Sequence, residues 1–568
     1  MSDLDFQLKF VAENAWRLSG MQDSNPISPS YGCFHLAYWR DKVSEFPDAR
    51  YQEAGATLGL LSLSNFDSFR QSQVLSSSES LYEGFRSGIV ALTNQQYPCG
   101  SFDEWYKGER GYAATEFPMI AYGLAAFLMK EKIAQEDSLL LKNFFLSAGK
   151  FLSSRQDKVK SNHEVAAAAA LALAFFVTKE KSFETSARNK IKETLTRQTK
   201  EGWFPEVSGM DIGYCFVLLD YFMLYILVTG DEEPIPAMKK LFDFIFPFIH
   251  PDLTVSPELG LCLNPYVGRL GTSLLSRYDE KAAVVATEFS KQVVGNKGLI
   301  PYLGDDLRFA RWSHLPVVTH LLEKEFEPIE DSGTLEDKFP KNWTFKNEAG
   351  ICAYHQETTH LYFFPSGGGG VRYFNGKNLV LEDLGYFLNS LKGNFSCSGY
   401  NAKRPLEKLS NGYKIQVNFG RSEFFYPSFL SRLILRIGCI IPKFSQVLRS
   451  LIDWYRMNNK TAINQSAAPV SDSESSYLFT RKVIIKELSI IIHDTLEGMT
   501  EDSILTSSIL KIHDSVYPVL NKFQAQKNKI EIIKTMELSS RDQLNISSSE
   551  ELKEDCHLFN VRIELPAK

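Results

Sequence analysis

The sequence predicts a multidomain protein, helical first and β-rich after, and three observations carry that reading. A chain of 568 residues is too long for one compact core. Apolar residues recur at three- and four-residue spacing up to about residue 330, whereas beyond Lys341 they fall in short β-branched and aromatic runs separated by turns. Between them, Glu327 to Lys341 is rich in Asp, Glu, Pro and Gly and reads as a linker. The expected division is a helical domain over 1–330, a linker over 331–341 and a β-sandwich over 342–568.

In the helical part, Glu53–Leu63, Leu81–Leu92, Tyr112–Met129, Leu139–Leu152, Glu164–Val177 and Gly213–Leu227 carry the helical period. Ala166–Ala174 contains only Ala and Leu, which suits an inner helix closely surrounded by others. Gly100-Ser101-Phe102, Gly202-Trp203-Phe204 and Gly298-Leu299-Ile300 echo one another at helix exits, as expected of hairpins around a ring or of ordinary C-cap glycines. In the second part, Ile351–His355, His360–Phe364, Gly370–Phe374, Leu379–Leu384, Tyr413–Phe419, Tyr477–Ile485, Leu488–Ile492 and Val561–Leu565 read as strands of an antiparallel sandwich. Phe424–Lys460 stands apart as a helical insertion, apolar and basic, that lies on a membrane surface, docks a partner, or packs as a helix pair on the sandwich.

Composition narrows the function. With 44% hydrophobic residues the chain folds, and 62 Lys and Arg against 68 Asp and Glu argue against nucleic-acid binding through bulk charge. Met1–Gly20 has no continuous apolar region for a signal peptide, and no uninterrupted apolar stretch reaches a membrane span. The eight cysteines form no CxxC pair, so neither a disulfide scaffold nor a zinc site is expected. The expected location is the cytoplasm, peripheral to the membrane if the insertion docks there; no cofactor or metal is expected.

The chemistry concentrates in Asn162-His163 at the start of the Ala-rich helix, Glu201-Gly202-Trp203-Phe204-Pro205-Glu206, and Asp211-Ile212-Gly213-Tyr214. The bland reading makes Asn162 an N-cap, His163 a first-turn residue, and Tyr214 a member of a core stripe with Tyr221 and Tyr225. This Asn-His, acidic-Gly-aromatic and Tyr order resembles the heparinase II/III-like polysaccharide lyases and related alginate lyases. Tyr31-Gly32-Cys33, Phe46-Pro47-Asp48-Ala49-Arg50, Gly100 to Tyr106 and Thr115 are similar to bacterial heparinase II/III-like proteins associated with polysaccharide loci. The resemblance implies an incomplete α/α toroid followed by an antiparallel β-sandwich, and β-elimination on an acidic polysaccharide. It also implies that Asn162 and His163 grip the uronate carboxylate while Tyr214 exchanges the proton.

Asp103 to Arg110 offers carboxylates for hydroxyls and aromatics for sugar faces, with Glu104, Trp105, Tyr106 and Arg110 as candidate glycan contacts; a lid over the helical domain is the competing reading. Glu206 and Asp211 are candidate substrate contacts, and alternatively the acid and base of a glycoside hydrolase; Glu206 is also a candidate to orient His163. His355 and His360 are expected at the surface, near enough to a turn to reach the helical rim. Asp383 and Tyr386 echo the family's sandwich as structural residues, and Gly367–Gly370 reads as a turn. One departure stands out: where the family carries a Gly-Ser-Arg-Asn-Thr-like segment, this chain reads Glu258 to Asn264, and Arg269 is a candidate substitute for the missing Arg. The runner-up function is a non-catalytic glycan-binding or assembly protein of polysaccharide biosynthesis.

Overall fold

The computed structural model describes residues 6–63, 66, 77–207, 209–260, 264–291, 305–323, 329, 333–397, 401, 404–422, 428–440, 444, 447, 451, 470–471, 476–486, 489–498, 504–507, 523–524, 529–537, 546–547, 552–553 and 556–560. The expectations for Gly298 to Ile300, Leu261 to Leu263 and Val561 to Leu565 fall outside them, as does most of Lys443 to Lys460.

Helices come first: α1 (Phe6–Glu13), α2 (Ala15–Met21), α3 (Leu36–Trp39), α4 (Glu53–Leu61), α5 (Ser78–Gln95), α6 (Ala113–Met129), α7 (Gln135–Ser153), α8 (Ser161–Thr178) and α9 (Lys181–Leu195). They continue with α10 (Ile212–Thr229), α11 (Ile235–Ile245), α12 (Arg269–Leu275), α13 (Glu280–Lys291), α14 (Asp306–Trp312), α15 (His314–Glu323) and α16 (Leu335–Lys338). Helices α4, α6, α8, α10, α12 and α15 pack each on the next, and α15 packs back on α4. They form the inner ring; α5, α7, α9, α11 and α13 pack outside it. Between α15 and α4 the outer place is taken by α1 and α2, so the hairpin repeat of the outer layer does not run all the way round.

Side-chain size explains which helices are inner. Ala166 to Ala174 is wholly buried, and such small residues let α6 and α10 approach α8 from both sides. Outer α9 instead buries one face, Phe183, Ala187, Lys190, Ile191 and Thr194, and leaves the other to water. By length and composition α8 and α10 could cross a membrane, yet 83% and 78% of their residues are buried within the ring.

The glycine echo has a physical basis. Gly100 and Gly202 both have positive φ, and an added Cβ would collide with the carbonyl of Ser147 on α7 and of Lys240 on α11. Four residues earlier, Gln96 Nε2 donates to the Gly100 carbonyl (3.1 Å) and the Phe144 carbonyl (3.2 Å). Gln198 Nε2 donates likewise to Gly202 and Ala237, both at 2.8 Å. Gln22, Gly32 and Gly84 repeat the arrangement a third time, with bonds of 3.1 and 2.8 Å. Each clamp ties the entry of an inner helix to the next outer helix.

The strands are β1 (Asn342–Lys346), β2 (Ile351–Gln356), β3 (Thr359–Phe364), β4 (Gly370–Asn375), β5 (Asn378–Asp383), β6 (Tyr386–Ser390), β7 (Gly393–Ser396), β8 (Leu406–Leu409), β9 (Gly412–Asn418) and β10 (Gly420–Ser422). After helix α17 (Phe429–Ile440) come β11 (Val470–Ser471), β12 (Leu478–Lys486), β13 (Ser489–Glu497), β14 (Ile504–Ser507), β15 (Phe523–Gln524) and β16 (Lys529–Glu537). One antiparallel sheet runs β1-β2-β3-β4-β5, a second β11-β10-β7-β6-β14-β15, and a third contains β16-β13-β12-β9-β8. In the first sheet, Cys352, Tyr354, Leu361, Phe363, Val371 and Tyr373 pack in the sandwich core. Their neighbours Ile351, Ala353, Tyr362, Phe364 and Phe374 join the core of the helices. A sheet buried on both faces has little room for polar alternation.

The segment expected as a linker carries α16, closed by a Thr334–Asp337 capping box. Within the sandwich, Arg481 is wholly buried and bonds Asp383 (2.8 Å), Asp494 (2.6 Å) and the Gly369 carbonyl (2.8 Å), while the Tyr386 hydroxyl donates to Asp494 (2.7 Å). Asp383 and Tyr386 are thus structural, as expected.

Two stability measurements follow from these features. Gly202→Ala is expected to cost about 1–3 kcal/mol in urea unfolding, more than Gly230→Ala, whose φ is also positive but whose added Cβ meets nothing within 4 Å. Arg481→Met leaves two buried carboxylates facing each other and is expected to cost about 3–5 kcal/mol in the transition of the sandwich.

Candidate functional site

The loops entering the inner helices are stitched together at one rim. Isolated bridges pair Phe102 with Gly111, Lys160 with Glu206, and Asp211 with Gly260. Ser161 Oγ donates to the Pro205 carbonyl at 2.7 Å, joining the α8 entry to the loop before α10. Asp211 is the N-cap of α10, and its carboxylate accepts the Tyr214 amide at 3.0 Å.

Asn162 is not a cap; it lies inside the first turn of α8, after the cap residue Lys160. Its backbone N–H donates to Glu206 Oε1 (2.7 Å), its Nδ2 stands 2.5 Å from Glu206 Oε2, and its Oδ1 is buried without a hydrogen-bond partner. Burial pushes the Glu206 carboxyl up to about 8, against the Asn162 amide and Lys160, which favour its charged form. His163 Nδ1 faces Glu116 Oε1 at 2.5 Å. Glu116 is wholly buried, and burial together with Asp157 and Glu164 raises its carboxyl well above the ordinary range. Glu206 therefore orients Asn162, and Glu116 takes the part toward His163 that the sequence suggested for Glu206.

Tyr214 is half-buried in the first turn of α10, which packs beside α8. Tyr221 and Tyr225, farther along the helix, are buried; Tyr225 donates to Asp231 at 2.7 Å. The Phe117 ring lies 5.8 Å from both His163 and Tyr221, and the Arg50 guanidinium sits over it at 3.8 Å. Arg50 also pairs with Glu53 and with Glu104 (3.8 Å), and Arg311 pairs with Glu104 (3.0 Å) and Asp48 (3.4 Å). His314 is buried, both ring nitrogens lack hydrogen-bond partners, and burial with the nearby Arg50 lowers its pKa to about 3, so it is neutral.

The loop from Asp103 to Arg110 is organised by its own carboxylates. Asp103 accepts from the Tyr97 hydroxyl (2.7 Å), the Gly108 amide (2.7 Å) and the Arg110 amide (3.0 Å). Glu109 accepts from the amides of Glu104 (3.0 Å) and Trp105 (2.8 Å). Glu104 is buried in the arginine cluster, Arg110 lies over the Tyr97 ring at 4.6 Å, and Tyr106 is half-buried. Trp105 is 61% exposed, so its face is open for contact. Beside this loop a cavity of about 260 Å³ is lined by Tyr31, Tyr38, Glu45, Asn94, Tyr97 and Lys107, among others.

Two expectations need correction. His355 and His360 are buried, not at the surface: they face each other at 3.0 Å, His355 Nε2 lies 2.8 Å from the Pro247 carbonyl, and Phe339 stacks on His355. Both imidazoles sit where the first sheet meets the helices, and burial lowers them to about 3 and about 4. Arg269 is buried and forms a 2.9 Å pair with Glu323, which occupies it within the ring. Glu201 accepts from the amides of Glu348 (2.9 Å) and Ala349 (3.1 Å), so part of the acidic-Gly-aromatic turn fastens the sheet to the toroid.

Sequence reasoning missed Glu116, Glu53, Arg311 and His314. The signal available for two of them was a carboxylate inside an otherwise apolar inner helix, since such a residue is rarely buried without a purpose.

No family model matches the chain, and no curated protein matches it. Among solved structures, chondroitin AC lyase of Streptomyces coelicolor A3, determined in complex with chondroitin sulphate, is similar over 88% of this chain and 67% of its own, with a TM-score of 0.50 and 8% identity. At that identity the likeness is one of fold: both chains have a helical region followed by an antiparallel β region.

Proposed function

We propose that the protein acts on an acidic, uronate-containing polysaccharide by β-elimination, with Asn162, His163 and Tyr214 at the reacting centre. One observation carries this reading: Asn162 and His163, adjacent on a first turn beside the entry of Tyr214's helix, are each held by a separate buried carboxyl whose proton affinity is raised.

The Glu206 carboxyl, pushed up to about 8, keeps its proton at neutral pH and becomes a donor. Glu116 Oε1 engages His163 Nδ1 at 2.5 Å, which fixes the orientation of the ring and leaves Nε2 as its other hydrogen-bonding atom. Protonated Glu206 donates to the Asn162 side-chain oxygen once the amide is turned over; the 2.5 Å separation is ordinary for O–H···O and short for N–H···O. The amide N–H₂ then takes the place of the buried, unpartnered Oδ1. The two carboxyls thereby orient the Asn162 amide and the His163 imidazole, and N–H donors so placed neutralise a uronate carboxylate as charge moves onto it when the neighbouring C–H proton leaves. Tyr214 takes that proton or returns one to the leaving oxygen. Trp105 offers a sugar-stacking face on the same rim, with Tyr106 beside it accepting the Glu109 amide at its carbonyl (3.2 Å), while Arg110, Glu104 and Asp211 shape the rim through the bonds described above.

A second reading, a glycan-binding protein without turnover, is favoured by one observation. The family's late Arg is missing from Glu258 to Asn264, and Arg269 is spent on Glu323. Incubation with a panel of uronic-acid polymers separates the two: ultraviolet-absorbing unsaturated ends are expected, and binding without them on any polymer would establish the binder.

Tyr214→Phe is expected to lower turnover by about 10²–10³ while leaving binding, whereas His163→Ala weakens both; near-native elimination by Tyr214→Phe would remove the proton-transfer role. Trp105→Ala should weaken polymer binding several-fold in calorimetric titration with no change in melting temperature. The folded Glu206 value of about 8 lies above the ordinary 4.5, so its contribution to stability is full below about 4.5 and is lost as pH rises through about 8. The melting temperature should therefore fall across that window in the native protein and fall less in Glu206→Gln.

A further inference from the structure

Helix α17 interrupts the sandwich without breaking it. The chain leaves at β10 and returns at β11, and these two strands pair, Arg421 with Ser471 and Ser422 with Val470. The excursion between them reaches the toroid. Cys439 lies so close to the rim loop that a Cβ added at Gly108 would stand 2.8 Å from its carbonyl oxygen, and Arg436 pairs with Glu45 at 2.6 Å.

The helix is held by one edge only. Gly438 and Cys439 are buried and Leu435 is half-buried, which marks the edge against the protein. The broad opposite face is Leu430, Leu433, Ile434 and Ile437, at i, i+3, i+4 and i+7, extended by Phe429 and Ile440. All six are exposed, from 39% for Leu433 to 82% for Phe429. Farther along, Phe444, Val447 and Leu451 are also exposed. So large a bare apolar face on one helix is a docking surface.

Charge selects what docks. From residue 424 to 460 the sequence carries Arg432, Arg436, Lys443, Arg449, Arg456 and Lys460 against Asp453 alone, in a chain whose net charge is −6. Two copies of so basic a segment repel each other, whereas an anionic lipid surface attracts it. Exposed Arg432 lies on the flank of the helix, three residues beyond Phe429, where its long side chain can reach lipid phosphates. We infer that α17 is a monotopic docking helix whose apolar face enters an anionic bilayer surface, holding the rim with Trp105 next to the membrane.

The test is flotation of the full-length protein with phosphatidylcholine vesicles and with vesicles containing phosphatidylglycerol, beside sedimentation velocity without lipid. Recovery with the anionic vesicles only is expected, reduced about tenfold or more by Leu433→Glu/Ile437→Glu and about fivefold by Arg432→Gln, with circular dichroism spectra unchanged. Absence of flotation, equal recovery of the Glu variant, or a lipid-free dimer that the Glu variant abolishes would each overturn the inference, the last by giving the face to a second copy.

Discussion

Ring closure rests on a buried ion cluster in which arginines from opposite ends of the helical sequence share carboxylates. Arg50 precedes α4 and Arg311 ends α14; Glu104 of the rim loop lies between them, with Glu53 on Arg50 and Asp48 on Arg311. Thr57 and Ser313, 2.8 Å apart, continue the join into α4 and α15. Buried charges of this kind are costly to leave unpaired, so the cluster has one favourable arrangement and admits little slack. Arg50 presses on Phe117, whose ring abuts His163. The same interaction that joins first helix to last therefore sets the floor on which the candidate reacting residues stand.

The sheet domain is bound to this ring by a second set of polar groups. Glu201, the His355–His360 pair and the Arg372–Glu258 pair at 2.9 Å all lie where strands meet helices. The Tyr362 hydroxyl adds a bond of 3.0 Å to the Ile249 carbonyl. Alternate residues of β2, β3 and β4 serve two cores at once, so the first sheet belongs equally to the sandwich and to the toroid.

Much of this was legible in the sequence because it is written in periodicity. The Ala and Leu run of α8 and the change of period near Lys341 locate the inner helices and the strands, since burial acts on every residue of such segments. The Ile351 and His360 runs gave strands but not their double burial, and so the two histidines were expected in water. Partners far apart in sequence were illegible: nothing local ties Glu116 to His163, or Arg311 to Asp48, across 263 residues. Asn162 and Glu206 were both singled out, yet their bond is a matter of how two loops cross, which no spacing records. The rim loop was read as a set of sugar contacts because its residue types allow that. Its carboxylates Asp103 and Glu109 instead hold backbone amides, which leaves Trp105 as its outward face.

The glutamine and glycine clamps and the ion cluster divide the labour of building the ring. A clamp joins one hairpin to its neighbour and uses nothing beyond that neighbour, so it would serve as well in a ring of any circumference; even the ten-residue interval between Gln22 and Gly32, against four in the other two, leaves its bonds intact. The cluster is different, because its arginines meet only when the sixth inner helix returns to the first. Duplication of a hairpin would thus be accepted at every clamp and refused at the closure. The seam is therefore where the ring joins distant parts of the chain, through this cluster and through the packing of α15 on α4.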